Sequence, residues 1–326
     1  MNIYLGVDVG SVTTKFALVS DEGELIAYNY IRTQGKPILA VQQGLKDIQG
    51  LLPARGEIRG VCTTGSARYL AGVALGADVV KNEITAQAVA ALHYIPDVRT
   101  IIEIGGQDSK LIIVRDGMVV DFAMNTVCAA GTGSFLEQQA SRLNIMIEDF
   151  GELALQSKAP VRIDGRCTVF AESDMIHKQQ MGHETEDIVC GLCQSLVRNY
   201  LSSVGIGKEM LSPIVFQGGV AFNRGIVCAF EESLGIEVIV PLYHEAMGAI
   251  GAALLACEEM SCSDKATAFA GFGVSEARYS TSSFECKSCL GQSEDVKLFH
   301  NSISIGFSGN RCDLCEGGNS AQSRNA

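Results

Sequence analysis

The sequence predicts a mixed α/β protein with a duplicated domain and a small cysteine-rich C-terminal tail. One observation is a succession of strand, glycine-rich turn with an Asp, strand, hairpin and strand, which occurs near residues 3–31 and again near 100–124. Another is that residues with helical apolar spacing follow each run. The last is that Ser, Thr and Gly rise after about residue 259, where apolar periodicity fades and two C-x₂-C pairs appear.

The strands and helices follow from local patterns of apolar residues and turn residues. For the first half, we predict strands at 3–9, 15–20 and 24–31, a helix at 37–50 and a strand at 58–63. For the second half, we predict a helix at 83–92, strands at 100–104, 110–115 and 118–124, helices at 133–143, 148–157 and 184–204, strands at 214–216 and 238–240, and a helix at 244–257.

The composition is that of a folded chain with a large core. Of the 326 residues, 47% are hydrophobic and 19% are charged. The formal net charge of −12 argues against nucleic-acid binding, which needs a basic surface. No stretch approaches the ~20 apolar residues that span a bilayer, and the N-terminus starts as a strand without the basic segment of a signal peptide. We expect a cytoplasmic protein with no membrane partner.

Two turns carry the residues that a phosphate site requires. Asp8 ends a strand just before the first turn, where it suits Mg²⁺ held through water, and Asp108 lies in the second turn. The glycines and hydroxyls beside them expose hydrogen-bond donors to a phosphate. One such turn alone is more often a plain hairpin, but two at corresponding points of the repeat favour a nucleotide site. The predicted phosphate-binding residues are Gly10, Ser11, Thr13, Thr14, Lys15, Gly105, Gly106 and Gln107.

A third glycine-rich turn follows the strand at 214–216. Gly218 and Gly219 allow the flat approach of an adenine and ribose, and Asn223 ends the turn. The three turns, in this order, resemble those of the actin, Hsp70 and sugar-kinase superfamily. The resemblance implies a duplicated, ribonuclease H-like ATPase domain with an interdomain cleft.

The superfamily resemblance also implies a division of the chain. We expect subdomain I at 1–82 with 244–257 and subdomain II at 83–243. The change of composition after about residue 259 sets apart a tail at 258–326, and we expect its end at 317–326 to be disordered. Glu83 opens the first connecting helix, where the superfamily places a group that orients the attacking water. The alternative is that Glu83 is a carboxylate favoured by the helix dipole.

Cys128 and Cys167 lie close to the predicted nucleotide turns, where cysteine is not normally needed. The chain has twelve cysteines, and a reducing cytosol argues against disulfides. A sulfur ligand on each of two loops suggests a metal centre coupled to ATP. Two thiolates cannot complete an iron–sulfur cluster, which usually takes four, so a second copy of the chain would supply the others. The alternative for each cysteine is a buried thiol.

The cysteine motifs and glycine turns together resemble the activator ATPases of 2-hydroxyacyl-CoA dehydratases over about residues 1–257. The related ATPase subunits of benzoyl-CoA reductase share these motifs. The resemblance implies a homodimer with one [4Fe-4S] cluster at its interface, held by Cys128 and Cys167 of each chain. It also implies that ATP hydrolysis drives one electron at low potential from ferredoxin or flavodoxin to a dehydratase.

The tail departs from the compact family pattern. Cys286 and Cys289, with Cys312 and Cys315, form paired C-x₂-C motifs that are typical of a Zn²⁺ site or a second cluster, with spare thiols as the alternative. Cys190 and Cys193 form a third C-x₂-C pair, but they lie in a helical stretch that favours packing.

Two other functions remain open at this stage. The first is a small-molecule kinase of the same fold, although residues 125–175 contain no dedicated sugar-binding motif. The second is a non-catalytic, metal-dependent regulator that uses the tail for interaction. Phosphoryl transfer to an added metabolite would favour the kinase, and robust ATP hydrolysis would eliminate the regulator.

Overall fold

The computed structural model describes residues 1–125, 128–263, 265–285, 294–300 and 303–308. The chain forms two compact units, Met1–Ala86 with Gly248–Ala326, and Gln87–Met247. No helix in the described ranges is both long and apolar enough to cross a membrane. The four predicted tail ligands, Cys286, Cys289, Cys312 and Cys315, lie outside the described residues.

The first unit contains a five-stranded sheet of order β3-β2-β1-β4-β5. β1 pairs antiparallel with β2 and parallel with β4. Its elements are β1 (Asn2–Val9), β2 (Thr13–Ser20), β3 (Leu25–Arg32), α1 (Pro37–Gln49), β4 (Glu57–Thr64), α2 (Arg68–Leu75) and β5 (Val79–Val80), then the start of α3 (Glu83–Tyr94).

The second unit repeats this sheet, with the order β10-β9-β6-β7-β8. β6 pairs antiparallel with β7 and parallel with β9, as β1 does with β2 and β4. The predicted duplicated α/β fold is therefore confirmed. The elements are β6 (Thr100–Ile104), β7 (Ser109–Arg115), β8 (Met118–Asn125), α4 (Gly133–Leu143), α5 (Ile147–Ala154), α6 (Thr168–Gln180), α7 (Thr185–Ser203), β9 (Ile214–Gln217), α8 (Arg224–Leu234) and β10 (Val238–Ile239).

Each unit has its own apolar core. In the first, alternate residues of β1 such as Leu5 and Val7 pack with Phe16 of β2 and Leu45 of α1. In the second, strands β6, β7 and β9 contribute to a cluster that also contains residues of α4, α5, α7 and α8. Burial of apolar surface by each amphipathic helix is what attaches it to its sheet.

Helices α2, α6 and α8 are absent from the sequence-based predictions. α6 is the most instructive, because only Ala171 and Met175 of its thirteen residues are buried. Such a short apolar stripe leaves little periodic signal in the sequence. α2 ends at Gly76, which has a φ of +64° and caps the helix in the left-handed conformation.

The described part of the tail is folded onto the first unit. It follows α9 (Met247–Ser261) and contains a three-stranded antiparallel sheet of β11 (Tyr279–Glu285), β12 (Glu294–His300) and β13 (Ile303–Ser308). Leu298 packs on Leu70 and Ala74 of α2. These strands were not predicted, because the Ser-rich β11 lacks clear apolar alternation.

Helix α9 packs closely against β1 and against the start of α3, and a glycine lies at each contact: Gly6 in β1 and Gly251 in α9. A Cβ on Gly6 would collide with the carbonyl of Ala249, and one on Gly251 would collide with the carbonyl of Ala86. Both obstacles are backbone atoms, so neither can move aside by a change of rotamer. Gly251 therefore permits α9 and the start of α3 to cross closely.

Candidate nucleotide and cysteine sites

The first predicted phosphate turn joins β1 to β2. It is closed by the amide of Gly10, which donates to the carbonyl of Thr13 over 3.0 Å. Asp8 is buried at the end of β1, and Lys15 Nζ lies 3.2 Å from its Oδ2. The turn thus brings together a carboxylate and an ammonium group, which suit Mg²⁺ and phosphate respectively.

The predicted hydroxyls of this turn have different surroundings. Thr14 is buried, and its Oγ1 lies 2.9 Å from Oγ1 of Thr33, which in turn donates to the carbonyl of Gly10 over 2.8 Å. Ser11 is exposed, and its Oγ lies 3.4 Å from Oγ of Ser66. Thr14 therefore supports the turn from inside, whereas Ser11 lies on its open side.

The end of β4 forms another wall of this site, which the sequence analysis missed. Gly65 has a φ of +92°, and a Cβ there would lie 2.6 Å from Oδ1 of Asp8. Oγ1 of Thr64 is buried beside this position and has no hydrogen-bond partner in the described part of the chain. An unpaired buried hydroxyl next to a carboxylate fits a hydrated Mg²⁺ ion, which takes oxygen ligands. The available signal was the Thr-Gly-Ser sequence that ends this strand.

The second predicted phosphate turn is built around a buried lysine. The amide of Gly105 donates to the carbonyl of Asp108 over 3.0 Å. Lys110 Nζ lies 2.8 Å from Oε2 of Glu103 and 2.9 Å from Oδ2 of Asp108. Lys110 therefore holds the carboxylate of Asp108 against the turn. Sequence reasoning identified Asp108 but missed Glu103, which lies within an apolar strand.

The strand registers show that these two turns are equivalent. Asp8 pairs with Lys15 on one side and Thr64 on the other. Glu103 pairs with Lys110 and Gln217 in the same way. Asp8 therefore corresponds to Glu103, rather than to Asp108.

The third glycine-rich turn follows β9. Gly218 has a φ of +94°, and its amide donates to the carbonyl of His244 over 2.8 Å. Gly219 begins a short 3₁₀ turn. Asn223 caps α8, because its Oδ1 accepts from the amide of Ile226 over 3.1 Å. Its Nδ2 is buried and has no hydrogen-bond partner within the described segments.

Glu83 is the first residue of α3. The cap of this helix is Asn82, whose Oδ1 accepts from the amide of Thr85 over 2.8 Å. Glu83 lies in the first turn, where a carboxylate is favoured by the helix dipole. This position is compatible with both roles considered for Glu83.

The loop of Cys128 is attached to the second phosphate turn. The amides of Gly133 and Ser134, at the start of α4, donate to the carbonyls of Gly105 and Gly106 over 2.9 and 2.8 Å. Ser134 Oγ also donates to the carbonyl of Gly106, over 2.5 Å. A shift of the phosphate turn would therefore move the beginning of α4 and the cysteine that precedes it.

Both predicted cluster cysteines are partly exposed, and Cys167 lies at the N-terminus of an α-helix. Cys128 precedes the 3₁₀ turn Ala129–Gly131, and its amide donates to Oδ1 of Asn125 over 2.9 Å. Cys167 is the N-cap of α6. The positive end of a helix stabilises a thiolate or the negative charge of a cluster.

A salt bridge lies immediately before Cys167. Nη2 of Arg166 lies 2.7 Å from Oδ2 of Asp164. The hydrogen bonds from the side chain and backbone of Arg166 lower the pKa of the Asp164 carboxyl to about 2. This loop therefore remains ion-paired at neutral pH.

Three other described cysteines, Cys62, Cys190 and Cys193, are less suited to bind a metal, because burial disfavours their thiolate forms. Burial raises the pKa of the Cys62 thiol to about 12, and it also raises the pKa of the Cys193 thiol. Cys193 lies in the apolar core and Cys190 packs beside it, as expected for helix-packing residues. The described residues contain no group of three or more His, Cys, Asp or Glu that could hold a metal. Among the described residues, Cys128 and Cys167 supply two of the four thiolates that an iron–sulfur cluster usually takes.

Comparison with known proteins is consistent with these features. Residues 5–256 match the BadF/BadG/BcrA/BcrD ATPase family. The (R)-2-hydroxyglutaryl-CoA dehydratase activating ATPase of Acidaminococcus fermentans is 36% identical over 265 residues, which cover 78% of this chain and 98% of that protein. One of the subunits of benzoyl-CoA reductase from Thauera aromatica is 29% identical over 78% of this chain and 93% of its own length.

Solved structures show the same likeness. The activator of the 2-hydroxyisocaproyl-CoA dehydratase from Clostridium difficile, with bound ADPNP, has a TM-score of 0.72 and 33% identity, covering 79% of this chain and 96% of that one. A ROK family glucokinase from Streptomyces griseus has a TM-score of 0.50 at 13% identity, covering 78% of this chain and 99% of its own. The second likeness shows a shared fold alone.

Proposed function

The chain belongs to the BadF/BadG/BcrA/BcrD ATPase family, and on that premise we propose that it is an ATP-dependent, one-electron activator of a 2-hydroxyacyl-CoA dehydratase. The proposed assembly is a homodimer in the cytoplasm. Each chain binds ATP with Mg²⁺, and Cys128 and Cys167 of the two chains hold one [4Fe-4S] cluster. Ferredoxin or flavodoxin is the proposed electron donor.

The observation that carries this proposal is the direct attachment of the Cys128 loop to a phosphate turn. Three hydrogen bonds join the start of α4 to the carbonyls of Gly105 and Gly106. A γ-phosphate bound at that turn and then released would displace α4, and with it Cys128. This is the kind of two-state local switch by which nucleotide hydrolysis reaches a distant site.

Each turn has a distinct task in ATP hydrolysis. Asp8 would hold a hydrated Mg²⁺ at the first turn and Lys15 would neutralise phosphate charge there, while Asp108 is the carboxylate proposed for the second turn. Gly218 and Gly219 admit the adenosine, with Asn223 Nδ2 as a hydrogen-bond donor. Glu83 orients the attacking water.

The proposed cluster supplies a carrier for one electron at low potential. The cysteines would act as its ligands, and the N-terminus of α6 at Cys167 would stabilise its negative charge. Coupling free energies of ~1–3 kcal/mol, typical of allostery, shift a one-electron potential by only about 40–130 mV. Two ATP sites acting on one cluster provide a larger driving force, which explains why an electron carrier needs ATP.

The match to a polypeptide of benzoyl-CoA reductase supports the ATPase component of such a reductase as the second candidate. A small-molecule kinase of the same fold is the third. Binding to an acyl-CoA reductase would identify the reductase component. Phosphoryl transfer to an added metabolite would identify the kinase.

The test is anaerobic purification followed by measurement of iron, sulfide and zinc per dimer, with EPR after reduction. We expect about four iron and four sulfide per dimer, which Cys128→Ala loses while ATP binding remains. Cys257→Ala is the matched control, since Cys257 is a partly exposed cysteine distant in sequence from both motifs. No iron after anaerobic reconstitution would reject the cluster, and iron beyond this amount would assign a second cluster to the tail cysteines.

The ATPase half of the proposal has its own test. Asp8→Ala should lower ATP hydrolysis by at least roughly 100-fold, or ~2.7 kcal/mol, because Mg²⁺ loses its anchor. The iron content should stay unchanged. Asp47→Ala, a surface carboxylate on α1, is the control and should hydrolyse ATP normally.

A further inference from the structure

Three side chains on one face of α7 hold the segment that leads to Cys167. Arg198 Nη2, Ser195 Oγ and Asn199 Nδ2 donate to the carbonyls of residues 163, 164 and 165, over 2.5, 2.6 and 2.5 Å. Positions i, i+3 and i+4 of a helix share a face, so one helix can bind three successive carbonyls. The backbone entering Cys167 is therefore fixed by α7.

Asn199 differs from the other two because it also reaches the Cys128 loop. Its Nδ2 lies 4.0 Å from Sγ of Cys128. Its Oδ1 is buried beside Gly131, where a Cβ would lie 2.8 Å from that oxygen. One amide group thus lies against both cysteine loops, which are far apart in sequence.

The orientation of this amide follows from its surroundings. One atom of the Asn199 amide faces the carbonyl oxygen of Gly165. That atom must be a hydrogen-bond donor, so it is Nδ2 rather than Oδ1. Oδ1 has no hydrogen-bond partner across the described ranges. Burying an amide oxygen without a hydrogen-bond partner lowers the stability of the fold. The presence of asparagine here therefore indicates that its N–H groups have a function beyond stability.

We infer that Asn199 is a positioning residue that joins the two cysteine loops and donates an N–H···S hydrogen bond to Cys128, which tunes the cluster. This inference rests on the proposed function. Hydrogen bonds to the sulfurs of an iron–sulfur cluster stabilise its more negative, reduced state and so raise the reduction potential. The step concerned is uptake of one electron from the low-potential donor protein, which changes the cluster core from 2+ to 1+ with no bond broken.

Asn199→Leu tests the inference, because leucine has a similar size and no donor. In the reconstituted dimer, an EPR-monitored redox titration should give a midpoint potential that is lower by up to ~59 mV. For one electron this corresponds to a ~tenfold change in the equilibrium constant for reduction. In the metal-free protein, amide hydrogen exchange across residues 163–168 should become faster. Ser203→Ala is the control, because Ser203 Oγ bonds only to carbonyls of α7 itself, and neither quantity should change.

The outcomes separate this inference from the proposed function. An unchanged potential and unchanged exchange in Asn199→Leu would overturn the role of Asn199 while leaving the activator proposal standing. A wild-type protein that binds no iron would reject both the activator proposal and the tuning role. If Asn199→Leu does not fold, Asn199→Ser provides the same comparison, since serine is too short to reach either loop.

Discussion

At the scale of single residues, the two halves use equivalent carboxylate–lysine pairs in different surroundings. Lys15 is 16% exposed and lies 3.2 Å from Asp8, whereas Lys110 is 2% exposed and lies 2.8 Å from Glu103. The first pair can rearrange around a ligand. The second is enclosed, and its lysine also holds Asp108.

This difference in burial predicts that replacing each lysine by methionine has unequal effects on stability. Lys110→Met should lower the free energy of unfolding by about 3–5 kcal/mol, because it removes the ammonium from a buried pair. Lys15→Met should cost less stability than Lys110→Met, because Lys15 is the more exposed of the two lysines, and it should impair ATP hydrolysis. Chemical denaturation and phosphate release measure the two effects. Recovery of stability in Lys110→Met with Glu103→Leu would support the buried charge as the cause, and equal destabilisation by both lysine substitutions would contradict it.

The Asp164–Arg166 pair predicts an effect of pH on the Cys167 loop. The folded-state pKa of Asp164 is about 2, below its ordinary value of 3.8. The pair therefore contributes fully above about pH 3.8, and its contribution is lost as the pH falls towards 2. Titration of the Asp164 carboxyl by NMR should give the lowered pKa, which should return to normal in Arg166→Gln. A midpoint near 3.8 in the wild type would show that the pair does not form.

At the scale of elements, the crossing of α3 and α9 depends on one glycine. Gly251→Ala should destabilise the protein by about 1–3 kcal/mol or more, because the new Cβ meets the backbone carbonyl of Ala86. Gly273→Ala is the matched control, since open space surrounds that position, and it should lie within about 0.5 kcal/mol of the wild type. Thermal or chemical denaturation provides the comparison, and equal stability of the two variants would contradict the close crossing.

Helices α4 and α6 are the elements that connect the cysteines to the rest of the second unit. α4 contributes Phe135 and Leu136 to the core, and its first residues bond to the phosphate turn. α6 buries only Ala171 and Met175 and leaves Val169 and Phe170 exposed.

At the scale of the whole molecule, the proposed cluster joins two chains and should therefore control the oligomeric state. We expect the anaerobic wild-type protein to sediment as a dimer. Removal of iron by a chelator, or the double substitution Cys128→Ala with Cys167→Ala, should shift the equilibrium towards monomer because four ligand bonds are lost. Analytical ultracentrifugation under anaerobic conditions measures this shift. A dimer of unchanged affinity would place the cluster away from the interface.

Much of the fold could be predicted from local sequence. Apolar runs and turn residues located β1–β4 and β6–β10, because central strands such as β1, β6 and β7 are buried and the hairpin turns lead into β3 and β8. Helix α6 and strand β11 were missed, since both bury few apolar residues and so lack a periodic signal. The roles assigned to the individual site residues remain proposals.

The sequence by itself determined the duplication, the three glycine turns and the two cysteine motifs, because each depends on residue types at short spacing. Only the tertiary structure decided that Glu103 is the counterpart of Asp8 and that Gly65 and Thr64 complete the first turn. It also decided that Asn199 lies between two loops. The reason is physical: pairing between strands and packing of α7 bring together residues whose distance along the chain is unrelated to their distance in space.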